Sequence, residues 1–184
     1  MKMSQRKGIV IWITGLSGAG KSTIARALVD LYAKKGEQAV LLDGDEIRAA
    51  VADPKTAHDR RSRLVNAMRI CRFAKLLANQ GFTVIVATMS LFEEVHRWNR
   101  KHQPDYFEVF VKVSLGVLRA RDARKLYSRA RQGRAANVVG VDMAFDEPDD
   151  AHLVLDNEQV TDSFTALAGK ILTGLKRRSR FTQK

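Results

Sequence analysis

The residues with the most specific chemistry lie near the start of the chain. Gly15-Leu16-Ser17-Gly18-Ala19-Gly20-Lys21-Ser22 fits G-x-x-x-x-G-K-[ST] at every fixed position, and Thr23 follows. The glycines allow backbone angles that turn successive N–H groups toward one phosphate. Lys21 places a point charge on the outer phosphates, and the Ser22 hydroxyl is a ligand for Mg²⁺. A helix opening at this point directs its positive end at the anion. The loop therefore predicts binding of a nucleoside triphosphate, read as ATP. A second constellation follows in Leu42-Asp43-Gly44-Asp45. Two carboxylates at i, i+2 beside a glycine can divide two tasks: one accepts the proton of a substrate hydroxyl, the other holds Mg²⁺ or its water. The plainer alternative is an Asx turn that caps the next helix.

These groups need a scaffold. Apolar runs at Ile9–Ile13, Ala39–Leu42, Val84–Ala87, Val109–Val113 and Leu153–Leu155 read as short strands buried on both faces. Helical spacing links Ile24, Leu28, Leu31 and Tyr32, and again Ile70, Phe73, Ala74 and Leu77, where Gly81 ends the helix. Further helices are predicted near 92–102, 115–122 and 160–176. Alternating strands and helices predict an α/β fold of three layers, a mainly parallel sheet of about five strands with a ligand cleft at its carboxyl ends. Residues 123–150 show no clean period and read as a mobile insertion outside the sheet. The whole chain reads as one P-loop kinase domain.

Composition bounds the rest. The 184 residues carry a net charge of +12, which predicts an anionic partner. No apolar run approaches the roughly 20 residues of a membrane span, and the chain reads as cytoplasmic. The single cysteine, Cys71, falls on an apolar helix stripe and reads as a core thiol. Arg119, Arg121, Arg124, Lys125, Arg129, Arg131 and Arg134 crowd one stretch, and residues 177–184 form a basic tail read as disordered. Nucleic acid ranks last among anionic partners, because no aromatic residues interleave the basic ones. Trp12 falls in the first strand and reads as core.

The order of motifs resembles the adenylylsulfate (APS) kinase family. Carrying that resemblance are the Gly15–Thr23 loop, Leu42-Asp43-Gly44-Asp45-Glu46-Ile47-Arg48, the Arg63, Asn66 and Arg69 run, Ser90, Phe107–Val111, Arg121-Asp122 with Leu126-Tyr127, and Gly140-Val141-Asp142. It spans about residues 8–156 and implies a MgATP-dependent kinase acting on the ribose 3′-hydroxyl of APS. It implies Asp45 as the base and Asp43 as an organiser of Mg²⁺. Arg48, Arg63, Asn66 and Arg69 would hold a small nucleotide acceptor, with Val138 and Gly140 from a later segment. A basic lid over about 123–142 would contribute Arg121, Arg124 and Lys125 to the transition state. Ser90 matches a serine that the family's descriptions label a phosphoserine intermediate. Direct in-line transfer needs no such step, which leaves Ser90 as a cleft hydroxyl. A homodimer is the implied assembly.

Departures from the family pattern fall on the acceptor side. His58 and Val138 stand where two phenylalanines sandwich the adenine of APS, Ser62 replaces an Asp, Met68 an Arg, and Leu91 a Pro. A base–aromatic stack contributes about 1–3 kcal/mol. Asn66–Cys71, Trp98–Arg100 and Asn137–Asp142 resemble the branch that includes cytidine diphosphoramidate kinase of capsule biosynthesis. A rival from another class is a non-catalytic nucleotide- or RNA-binding protein, separable by ATP consumption that depends on an added nucleotide.

Overall fold

The computed structural model describes residues 8–52, 59–122, 125–159 and 163–182. Five strands form one sheet: β1 (Val10–Thr14), β2 (Ala39–Asp43), β3 (Thr83–Ala87), β4 (Tyr106–Lys112) and β5 (Leu153–Asp156). Their spatial order is β2-β3-β1-β4-β5, and every pairing is parallel. Seven helices complete the described residues: α1 (Lys21–Ala33), α2 (Gly44–Val51), α3 (Arg60–Asn79), α4 (Glu93–His102), α5 (Leu115–Arg121), α6 (Leu126–Arg131) and α7 (Phe164–Thr182). All five predicted strands are present, with no end shifted by more than three residues.

The period of two along β1 divides the core. Ile11 and Ile13 face one side with Ile24 and Leu28 of α1 and Leu167 and Ile171 of α7. Val10 and Trp12 face the other with Ile70, Cys71 and Ala74 of α3 and Val95 of α4. The sheet is thus the middle of three layers, and a strand flanked on both faces must be apolar throughout. Trp12 and Cys71 are core, as predicted, and burial pushes the Cys71 thiol up to about 12.

Several expectations need correction. The helix read from Ile70 begins ten residues earlier, because the Asp59 carboxylate caps it by accepting the Ser62 N–H (2.9 Å). Its buried stripe is rotated from the predicted one, with Phe73 43% exposed. Residues 125–150 form no sheet strand, as predicted, yet they bury Tyr127, Val138 and Val139 in the core. The basic tail expected to be disordered is helical through Thr182. There Arg178 donates to the Asp105 carboxylate and the Tyr106 carbonyl. Among the described residues, no helix is long and apolar enough to cross a membrane.

Candidate active site

The carboxyl ends of β1, β2 and β3 open onto one cleft of about 330 Å³. The loop after β1 forms its floor, with Ser17, Gly18, Gly20, Lys21, Ser22 and Thr23 among the lining residues. Leu16 and Ala19 turn their side chains into the core, so only their backbone groups serve the loop. Lys21 Nζ donates to the Leu16 carbonyl (2.8 Å), which holds the ammonium over the loop.

The second strand delivers the two carboxylates. Asp43 is the last residue of β2 and 5% exposed. Its Oδ1 accepts the Asp45 N–H (3.0 Å) and caps α2. The cap leaves the other oxygen unspent: Oδ2 of the same carboxylate is buried with no partner among the described residues. An unsatisfied carboxylate oxygen in the same cleft as the Ser22 hydroxyl offers oxygen donors of the kind a hard divalent cation or its water takes. Asp45, one residue into α2, lines the cleft and is exposed.

The opposite wall is cationic. Arg48 of α2 and Arg63 of α3 both line the cleft. Nη1 of Arg48 is buried without a partner among the described residues, and Arg63 Nη2 donates to the Asn137 carbonyl (2.9 Å). Burial lowers the Arg63 guanidinium below its ordinary value, and neighbouring Arg48 adds to the effect. Two cations forced together in a half-buried cleft fit an anionic ligand. Asn66 lies one turn along α3 and is 5% exposed. Ser90 is 2% exposed, and its hydroxyl pairs with that of Thr88 (3.0 Å) at the end of β3.

Other predicted residues fall elsewhere. Arg69 follows Asn66 on α3 but does not line the cleft. Val138 is 3% exposed within the core, fixed by the Asp142 carboxylate, which accepts the N–H groups of Asn137 and Val138. Gly140 makes a turn whose N–H donates to the Met143 carbonyl (2.9 Å), and it does not line the cleft. Arg121 was expected to serve the transition state, yet its guanidinium donates to the carbonyls of Asn157 (2.7 Å) and Glu158 (2.8 Å). Five donors in a fixed fork suit that bracing task. Arg124 and His58 lie outside the described residues. Thr88, Met89 and Phe164 line the cleft without having been singled out. Thr88 was findable from its place after a buried strand, whereas nothing local marks Phe164.

A family profile described as adenylylsulphate kinase matches residues 7–156. The chain belongs to the adenylylsulphate kinase family. This kinase is 41% identical over 148 residues to the cytidine diphosphoramidate kinase of Campylobacter jejuni, covering 80% of this chain and 85% of the relative. It is 40% identical over 159 residues to the adenylyl-sulfate kinase of Paraburkholderia xenovorans, covering 86% and 88%. The Mycobacterium tuberculosis APS kinase solved with AMPPNP and APS superposes with a TM-score of 0.86 at 31% identity, over 93% of this chain and 99% of that one. The kinase is accordingly a phosphotransferase that acts on a hydroxyl, and its family uses ATP.

Proposed function

We propose that this kinase transfers the γ-phosphoryl group of MgATP to the ribose 3′-hydroxyl of a small nucleotide, with APS as the default acceptor. The observation that carries the reading is the pairing, across one cleft, of the phosphate loop with Asp43, Asp45, Arg48 and Arg63. The loop N–H groups and Lys21 hold the ATP phosphates. Asp45 accepts the hydroxyl proton as the acceptor oxygen bonds to phosphorus, and the bond between the γ-phosphorus and the β–γ bridging oxygen breaks to release ADP. Asp43 and Ser22 would hold Mg²⁺, which neutralises charge on the phosphates when bound. Arg48, Arg63 and Asn66 grip the acceptor, and the Thr88–Ser90 hydroxyl pair closes that wall. A cytoplasmic location belongs with this reading.

Cytidine diphosphoramidate is the second acceptor considered. What favours it is that, among the described residues, no aromatic ring lines the cleft beside Arg48, Arg63 and Asn66. Val138 lies in the core rather than the cleft, and Phe164, the one aromatic among the described lining residues, sits beside Gly20 of the phosphate loop. A coupled ATP-consumption screen of APS, cytidine diphosphoramidate and other nucleotides tests both. Turnover of APS alone supports the default and overturns the second reading, and turnover of the cytidine compound alone does the reverse. No nucleotide-dependent turnover overturns the function itself.

A further inference from the structure

Two carbonyls of the phosphate loop are held from outside the loop. The Tyr127 hydroxyl of α6 donates to the Ser17 carbonyl (2.9 Å), across 110 residues of sequence. Asn157, just after β5, donates from Nδ2 to the Ala19 carbonyl (3.0 Å), across 138 residues. Each carbonyl immediately precedes a glycine with positive φ: Gly18 at +81° and Gly20 at +98°. Peptide planes beside such glycines rotate at little steric cost.

No described peptide bond is cis, so the C=O and N–H of each plane point in opposite directions. Fixing the Ser17 oxygen toward α6 therefore aims the Gly18 N–H the opposite way, and Gly18 lines the cleft. The same logic aims the Gly20 N–H. A flipped plane would present a carbonyl oxygen where a phosphate oxygen must sit.

Both clamps are themselves braced. The Asp122 carboxylate accepts the N–H groups of Tyr127 (2.9 Å) and Ser128 (3.0 Å), which fixes the start of α6. The Asn157 N–H donates to the Lys112 carbonyl (3.0 Å), while Arg121 holds the Asn157 and Glu158 carbonyls. Tyr127 is 6% exposed and Asn157 3%, so neither donor is contested by bulk water.

We propose that Tyr127 and Asn157 are positioning residues that lock two peptide planes of the phosphate loop, so that Gly18 and Gly20 present their N–H groups to the ATP phosphates. This rests on the assignment of that loop to ATP.

Calorimetric affinities of the full chain for MgATP and for tripolyphosphate test it, well below the melting midpoint. Tyr127→Phe deletes one oxygen and keeps the buried ring, and it should weaken both ligands by a similar factor of about five. Asn157→Leu should behave likewise, and Tyr127→Phe decides alone if that variant fails to fold. Unchanged ATP affinity in Tyr127→Phe overturns the inference, as does a loss for ATP that tripolyphosphate does not share. If Lys21→Ala leaves ATP affinity unchanged as well, the loop assignment falls. If Lys21→Ala alone weakens ATP, only the clamps fall.

Discussion

The donor and acceptor halves of the cleft are finished to different degrees. On the donor side, carbonyls of the phosphate loop already have partners: Leu16 from Lys21, Ser17 from Tyr127 and Ala19 from Asn157. On the acceptor side, Arg48 Nη1 is buried without a partner among the described residues, and so, between the two halves, is Asp43 Oδ2. A buried polar group left unmet costs about 1–3 kcal/mol. The carbonyls of the phosphate loop are thus already tied, while the wall proposed for the acceptor holds a buried cation whose hydrogen bonding is incomplete among the described residues. Preformed sites constrain the sequence tightly; unfinished ones can be refitted to a new ligand by few substitutions.

Substitutions can break that contrast. Lys21→Ala should lower kcat/KM about a thousandfold through loss of transition-state charge, with the melting midpoint retained. Near-normal turnover in the coupled assay would sink the donor assignment. Asp45→Asn should lower kcat about a hundredfold while leaving KM for ATP close to wild type. Equal changes in both would make Asp45 a binding group only. Arg63→Ala should raise the acceptor KM about tenfold with little change in the ATP KM, and steady-state kinetics with each substrate varied separates the two. If the ATP KM rises as much, the two halves are not independent.

The smallest kinetic effect belongs to a site outside both halves. Glu108 of β4 is fully buried against His96 and Arg100. Burial pushes its carboxyl up, but the hydrogen bonds and charges of His96 and Arg100 outweigh that and leave it below the ordinary 4.5. Its stabilisation is therefore complete above pH 4.5 and is lost as pH falls through the depressed folded value. Glu108→Gln should cost about 3 kcal/mol at neutral pH, show a flatter acid unfolding profile, and leave both KM values unmoved. A shift in either KM would tie this network to the cleft.

The elements most legible in the sequence were those whose signal is local. The phosphate loop was readable because glycine, lysine and serine each serve one fixed geometric need. The strands were readable because burial on both faces demands unbroken apolar runs. The helix start at Arg60 was missed because the stretch before Ile70 is rich in arginine, and Asp59 announces its cap only through a side-chain contact. The contacts of Arg121 were hidden for a related reason. Sequence shows a cation near a lid but not the carbonyls of Asn157 and Glu158, which lie more than thirty residues away. Val138 likewise could be aligned to a position but not assigned to core or cleft. The acceptor wall joins α2, α3 and the Asn137 turn, and only tertiary structure brings them together.

The strand order has a consequence in time. β1 is made first yet sits at the centre, paired with β3 and β4. Its first partner to emerge, β3, follows only after roughly seventy further residues, about 7 s at ordinary rates of synthesis. During that interval Val10–Ile13, which end with no exposed surface, have no sheet to join. The strand that carries the phosphate loop is therefore the part of the nascent chain most in need of shielding.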